Sequence, residues 1–417
     1  MSLQGPILLV AEQPSGDIAE ALRAAGASPI IETSWADAPT VFMTGKPCAI
    51  VIAEPGMPPS ESAARMLCLQ AATANGPLIP VIARTTADQE LPVPIALAAD
   101  ANEPIERMMA RLRIAMGVRA LHAAVLQRVE EHDAGHGSLP ELPVGDPLDE
   151  ATVMIVGRGP AYPAMNAAVA QRFGLLGALS VETAARHLET REIDGIVVCD
   201  GQRTIDATLT LLAETERYRH IPAVVMGDAA ADFAYHLPQL TRAAGDAKRI
   251  VGRLIPPVRQ HALEHRLKRM MAALDSGGAI DPVTGLLTPD RFWHDLNKSI
   301  AGSSQHGHAL SIARFTFDHT LPARAGSDHT RLLARIMRDN DFACRDEDGS
   351  IFIAFGQTGL HSAHVLARRI AAVLRNSMLP TGSQPPNADV TLATLRCTDT
   401  LESLLLRVHG GEVVAAQ

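Results

Sequence analysis

Short apolar runs alternate with helix-period segments over the first ~130 residues, and after a break the same cycle starts again. Each run is four to six residues long or shorter and is usually followed by Gly, Pro, Ser or Asp, then by an amphipathic stretch. A parallel sheet with crossover helices needs that pattern. Strands are expected at 7–11, 30–31, 48–53, 79–83 and 95–98, with helices over 16–25 and 61–74. A longer helix should run from about Pro104, which suits a first helical turn, to about Glu131. The second cycle offers strands at 153–156, 195–199 and 223–226 and a cationic helical stretch over 258–274. Residues 132–149, rich in Gly, Pro and Asp, read as a linker, and a Gly/Pro break at 275–282 precedes a third segment. Three domains are therefore expected, at 1–131, 150–275 and 279–417.

Composition removes several classes of function. The chain of 417 residues has 37 Lys and Arg against 46 Asp and Glu, a net charge of −9, whereas sequence-independent nucleic-acid binding needs a basic surface. The five cysteines (Cys48, Cys68, Cys199, Cys344, Cys397) are odd in number and far apart, so neither a disulfide framework nor a zinc cage is indicated. The histidine pairs His306/His308 and His361/His364 lie apart from any carboxylate set, and no metal is expected. The first residues lack a basic segment ahead of their five-residue apolar run, and no apolar stretch approaches a membrane span. A cytoplasmic protein without membrane insertion is expected.

The strand ends carry the next clues. In the first block Ala11 and Glu12 stand at the end of strand one, Glu54 follows strand three, Thr85 follows strand four, and Glu103-Pro104 follows strand five. In the second, Gly157-Arg158-Gly159 follows strand one, Asp200 follows strand three, and Gly227 follows strand four. Both blocks resemble response-regulator receiver domains, which are flavodoxin-like doubly wound domains with the ligand site at the strand C-termini. That chemistry wants an acidic pair for Mg²⁺, an Asp nucleophile and a Lys that neutralises the phosphoryl group. Glu54 and Asp200 occupy the acceptor positions, but a glutamate facing Glu103 cannot stabilise an acyl phosphate, and Asp200 lacks metal carboxylates. Phosphorylation is expected at neither. The resemblance implies interaction modules and a homodimer formed through the last helices and last strand.

The third segment opens with DPVTGLLTPDRFWHDL. Asp281, Thr284, Gly285, Leu286, Phe292 and Leu296 match the opening motif of GGDEF domains, the α+β nucleotide-cyclase-like domains of diguanylate cyclases, while Val283, Thr288, Pro289 and Asp290 depart from it. Two receivers followed by such a domain resemble the PleD-type cyclases. Their chemistry needs metal carboxylates and a Gly-Gly turn that admits triphosphate. Here Glu347-Asp348-Gly349-Ser350 stands at the signature hairpin, and Thr316 takes the place of the metal aspartate, with Asp318 nearby. No cyclase activity is expected. The inhibitory-site motif Arg-x-x-Asp, by contrast, is present as Arg338 and Asp341, and Arg369 falls at the position of a further arginine in the following helix. A guanidinium fork suits guanine O6/N7 and phosphate, and a carboxylate suits the guanine N1 and N2 protons. The bland alternative is a helix-end turn with solvated arginines.

A lost cyclase site beside a kept Arg-x-x-Asp is the pattern of the family's inactive relatives. The resemblance implies a cyclic di-GMP effector that moves to a cell pole and helps deliver a cell-cycle regulator to a ClpXP-type protease through adaptor proteins. A ligand-independent receiver scaffold and a residual cyclase are the alternatives.

Overall fold

The computed structural model describes all residues except 1–3, 14, 54–66, 68–69, 73–75, 86–96, 134–144, 227–234, 244–245, 307, 318–322, 377–387, 397 and 411–417. Glu54, Gly227, Asp318 and most of the helix expected over 61–74 lie outside the described residues.

The first sheet contains β1 (Gln4–Val10), β2 (Ser28–Thr33), β3 (Ala49–Ile52), β4 (Val81–Thr85) and β5 (Leu97–Asp100) in the order β2-β1-β3-β4-β5, every pair parallel. Its strands are apolar on both faces because both faces are covered. Ile7, Leu9 and Val51 pack with Ile18 and Leu22 of α1 (Gly16–Ala24) and with Met108 and Leu112 of α3 (Ile105–Asp133). Leu8, Val10 and Ile50 face the other way, toward Trp35 and toward Phe42 of α2 (Ala38–Gly45).

The second sheet repeats the topology. It holds β6 (Thr152–Val156), β7 (Gly174–Ala178), β8 (Gly195–Val198), β9 (Ala223–Met226) and β10 (Leu240–Ala243) in the order β7-β6-β8-β9-β10, again all parallel. Both sheets thus have the doubly wound strand order 2-1-3-4-5. Its helices are α4 (Tyr162–Ala170), α5 (Val181–Thr190), α6 (Gln202–Glu214) and α7 (Ala247–Asp275). The sequence pattern does not announce β7 or β10. Both are edge strands, and GLLGA contributes two glycines that weaken strand preference. Helix α7 is also longer than expected, since it begins before Pro256 and Pro257 and continues through them.

The third sheet is antiparallel, with β11 (Leu310–Phe317), β12 (Asp341–Arg345), β13 (Ile351–Gly356) and β14 (Ala388–Thr394) in the order β12-β13-β11-β14. Alternation along β11 sends Ala313 and Phe315 toward Leu333 of α9 (Ala323–Ile336) and Ala367 of α10 (Leu360–Asn376). It sends Leu310 and Ile312 toward Phe292 of α8 (Pro289–His306) and Leu404 of α11 (Leu401–Gly410).

The chain divides into two compact units. The first comprises 1–134, 146–188 and 192–268 and contains both parallel sheets; the second comprises 135–145, 189–191 and 269–417. The division falls inside α7, between Lys268 and Arg269, ahead of the break that the sequence suggested at 275–282. Within the first unit the two α/β domains are joined by arginines of α3. Arg107 donates to the carbonyls of Leu237 (3.0 Å) and Leu240 (2.8 Å), and Arg111 donates to those of Pro238 (2.8 Å) and Leu240 (3.2 Å). The last helix of the first domain and the approach to the last strand of the second are thus engaged within one chain. These are elements that the sequence assigned to a homodimer face.

Candidate functional sites

The motif that opens the third segment is a self-contained turn. Asp281 accepts from the Val283 N–H (3.0 Å) and from the Thr284 hydroxyl (2.6 Å), and the Gly285 N–H returns to the Asp281 carbonyl (2.8 Å). Its last residues are stitched to the sheet, because the Leu287 N–H donates to the Ala343 carbonyl of β12 (3.0 Å). Asp281→Ala removes two hydrogen bonds from this turn and is expected to lower the stability of the second unit by about 1–2 kcal/mol, read as a drop in unfolding midpoint with an unchanged denaturant slope.

At the hairpin, β12 and β13 are joined by a turn in which Gly349 takes φ +82°, a conformation that favours glycine. The Asp346 N–H bonds the Ser350 carbonyl (2.8 Å), and Asp348 accepts from the Ser350 N–H (2.8 Å) and hydroxyl (2.6 Å). Arg314 of β11 reaches into this turn. It forms a 2.6 Å ion pair with Asp348, lies 3.4 Å from the Ser350 hydroxyl and 3.0 Å from His409 Nδ1, and sits over the Phe352 ring. The Ser350 bonds and the Arg314 cation hold the Asp348 carboxyl below the usual aspartate range. Thr316 bonds back to the Asp389 carbonyl (3.4 Å). Among the described residues Asp348 is engaged here by both Arg314 and Ser350, while Glu347 and Asp348 remain exposed. Sequence reasoning missed Arg314; the signal was one arginine in the otherwise apolar strand LSIARFTF.

The Arg338/Asp341 site lies between the end of α9 and the start of β12. A tight turn joins them, with the Asp341 N–H donating to the Arg338 carbonyl (3.0 Å). Gly356 of β13 seats this turn: a Cβ there would fall 2.5 Å from the Asn340 carbonyl oxygen, and its N–H donates to Asp341 Oδ1 (3.2 Å). Burial pushes the Asp341 carboxyl above its ordinary value, opposed by the Gly356 N–H and by Arg338. Arg338 is exposed, and among the described residues its guanidinium makes no hydrogen bond. Arg369 is exposed on α10, opposite buried Ala367 and Ala371, and no bond joins it to Arg338 or Asp341. The structure therefore brings Arg338 and Asp341 together and leaves Arg369 on a separate helix.

Among the described residues, the side chains at several strand ends of the parallel sheets are taken up by structural bonds. Glu12 accepts from the Trp35 N–H (3.2 Å), and Thr85 is buried at the end of β4. Glu103 turns to Arg111 and to the Asp100 N–H (3.1 Å). Asp200 accepts from the Gly201 N–H (2.8 Å), the Thr204 hydroxyl (3.2 Å) and the Arg158 N–H (3.3 Å), which hold its carboxyl below the usual range.

No family model matches this chain, and no curated protein does. Among solved structures, the chain is similar to the coiled coil and GGDEF domain of DgcB from Caulobacter crescentus, crystallised with cyclic di-GMP. That likeness has 15% identity and a TM-score of 0.31, and covers 35% of this chain and 84% of that one. A sensory box/GGDEF family protein from the same organism gives 19% identity and a TM-score of 0.29, covering 32% of this chain and 94% of that one. The diguanylate cyclase SiaD from Pseudomonas aeruginosa, solved with its activator SiaC, gives 20% and 0.30, covering 35% and 62%. Likeness of this degree assigns neither ligand nor activity. Among the described residues, no helix is long and apolar enough to cross a membrane.

Proposed function

We propose that this chain is a non-catalytic cyclic di-GMP effector of PopA-like organisation, with two receiver-like domains ahead of a degenerate GGDEF domain. The contrast between two arginines carries the proposal. Arg314 is consumed by Asp348 in the hairpin where a cyclase would hold metal and triphosphate, whereas Arg338 is exposed beside Asp341 on a turn seated by Gly356. The ligand's guanine edge and phosphates would meet the guanidinium fork, and the carboxylate would accept guanine protons. Arg369 would contribute charge from α10. Occupied, the site would bias the arrangement of domains that protein partners read, namely the adaptors of a protease and the cell-cycle regulator it degrades. Self-association would use a surface other than the one taken by Arg107 and Arg111.

Calorimetry with cyclic di-GMP and a turnover assay with GTP and Mg²⁺ test this on the full chain. Saturable binding without product is expected; turnover, or no heat at all, would overturn it. A pH series adds a sharper check. The raised Asp341 carboxyl favours its neutral form below the folded pKa, and ligand binding needs the ionised form. Affinity should therefore fall on acidification with a half-loss above pH 3.8, the ordinary aspartate value, and Asp341→Asn should flatten that dependence.

A further inference from the structure

Away from the sites above, three side chains of the second α/β domain converge on one point. Asp194, in the turn before β8, is buried, and its Oδ2 is fixed by the Thr152 N–H at 2.9 Å. Its Oδ1 meets two imidazole nitrogens from α7: His265 Nδ1 at 2.9 Å and His261 Nδ1 at 3.3 Å. The two histidines stand four residues apart in HALEH, so they share one helix face, and their rings meet edge to face with centroids 4.5 Å apart. The possible donor atoms of all three residues lie within 4.8 Å of one another. Glu264, between the two histidines in sequence, is drawn off into a 2.7 Å pair with Lys268.

We infer that Asp194, His261 and His265 form a binding site for a divalent transition-metal ion, zinc being the natural probe. Tetrahedral coordination with bonds of about 2.0–2.1 Å puts neighbouring ligand atoms about 3.3 Å apart, close to the 2.9 and 3.3 Å that separate Asp194 Oδ1 from the two ring nitrogens. Two imidazoles and a carboxylate are a donor set that suits Zn²⁺, Co²⁺, Ni²⁺ or Cu²⁺ rather than Mg²⁺ or Ca²⁺. The Thr152 N–H orients the carboxylate from behind, as outer hydrogen bonds do at metal centres. Water completes the fourth position from the side of His265, which is 22% exposed. Bound metal would replace hydrogen bonds with coordination and pin α7 to the turn before β8. The sequence signal was present as H-x-x-x-H, but its third ligand lies 67 residues earlier than His261 and only the fold supplies it.

Zinc sulfate titrated calorimetrically into the full chain should bind one equivalent at this site. Affinity should fall at least about tenfold in His265→Ala and in Asp194→Asn, the loss typical of a removed ligand or its support. In the wild-type protein, zinc should shift the ring-nitrogen NMR resonances of His261 and His265 together, a readout that does not depend on a variant folding. Absence of zinc uptake, uptake unchanged by both substitutions, or unshifted resonances for these two rings would overturn the site and leave a purely hydrogen-bonded triad.

Discussion

Arg338→Ala is expected to weaken cyclic di-GMP binding at least about 100-fold, on the order of 3 kcal/mol, without changing the melting temperature. The loss is large because one side chain supplies both the fork for the guanine edge or phosphate and the charge beside Asp341. The fold should not notice. Arg338 is exposed, and only its backbone carbonyl takes part in the turn, through the Asp341 N–H. Arg338→Lys separates charge from geometry, since a lysine keeps the cation but cannot present two parallel donors. It should recover little of the affinity. Calorimetry on the three proteins at one salt concentration decides the matter; wild-type affinity in Arg338→Ala would sink the effector proposal.

The parts of this molecule that were legible in its sequence are those fixed by periodicity or by local bonding. The apolar runs at 7–11, 48–53, 153–156 and 223–226 became central strands because both faces of a parallel sheet are buried and leave continuous apolar runs. The residues of the Asp281 turn stood out only through the motif they match; that Asp, Thr and Gly there satisfy one another within six residues appeared with the structure. Edge strands β7 and β10 were not, since a strand with one neighbour tolerates glycine and partial exposure. Pairings across long separations were also invisible. Nothing in LSIARFTF says that Arg314 will meet Asp348, 34 residues on. An arginine within an apolar segment was the only trace, and its partner could be named only after the chain had folded. Glu103 and Arg111 are only eight residues apart, yet the receiver resemblance drew Glu103 to the strand ends and away from the helix that it binds.

Glu103→Ala should destabilise the first unit by about 3–5 kcal/mol, as breaking a buried ion pair from one side does. The Arg111 guanidinium is 5% exposed and Glu103 7%. Arg111 makes five hydrogen bonds, two to Glu103 and one each to the carbonyls of Ala98, Pro238 and Leu240. Burial pushes Glu103 up and Arg111 down, while each opposes the other's shift, and burial, with repulsion by Arg111 added, brings Arg107 down to about 10. Removing the carboxylate leaves a buried cation beside a second one, with only backbone carbonyls and the weaker pull of Asp100 to compensate it. The double substitution Glu103→Leu with Arg111→Met should cost less than Glu103→Ala alone, because no uncompensated charge is left. It should nevertheless loosen the joint between the two α/β domains, since the bonds to Pro238 and Leu240 go with the arginine. Urea unfolding followed by hydrogen exchange at 237–243 measures both effects. A double variant less stable than Glu103→Ala would show that the arginine's carbonyl bonds, and not its charge pair, hold the two domains together.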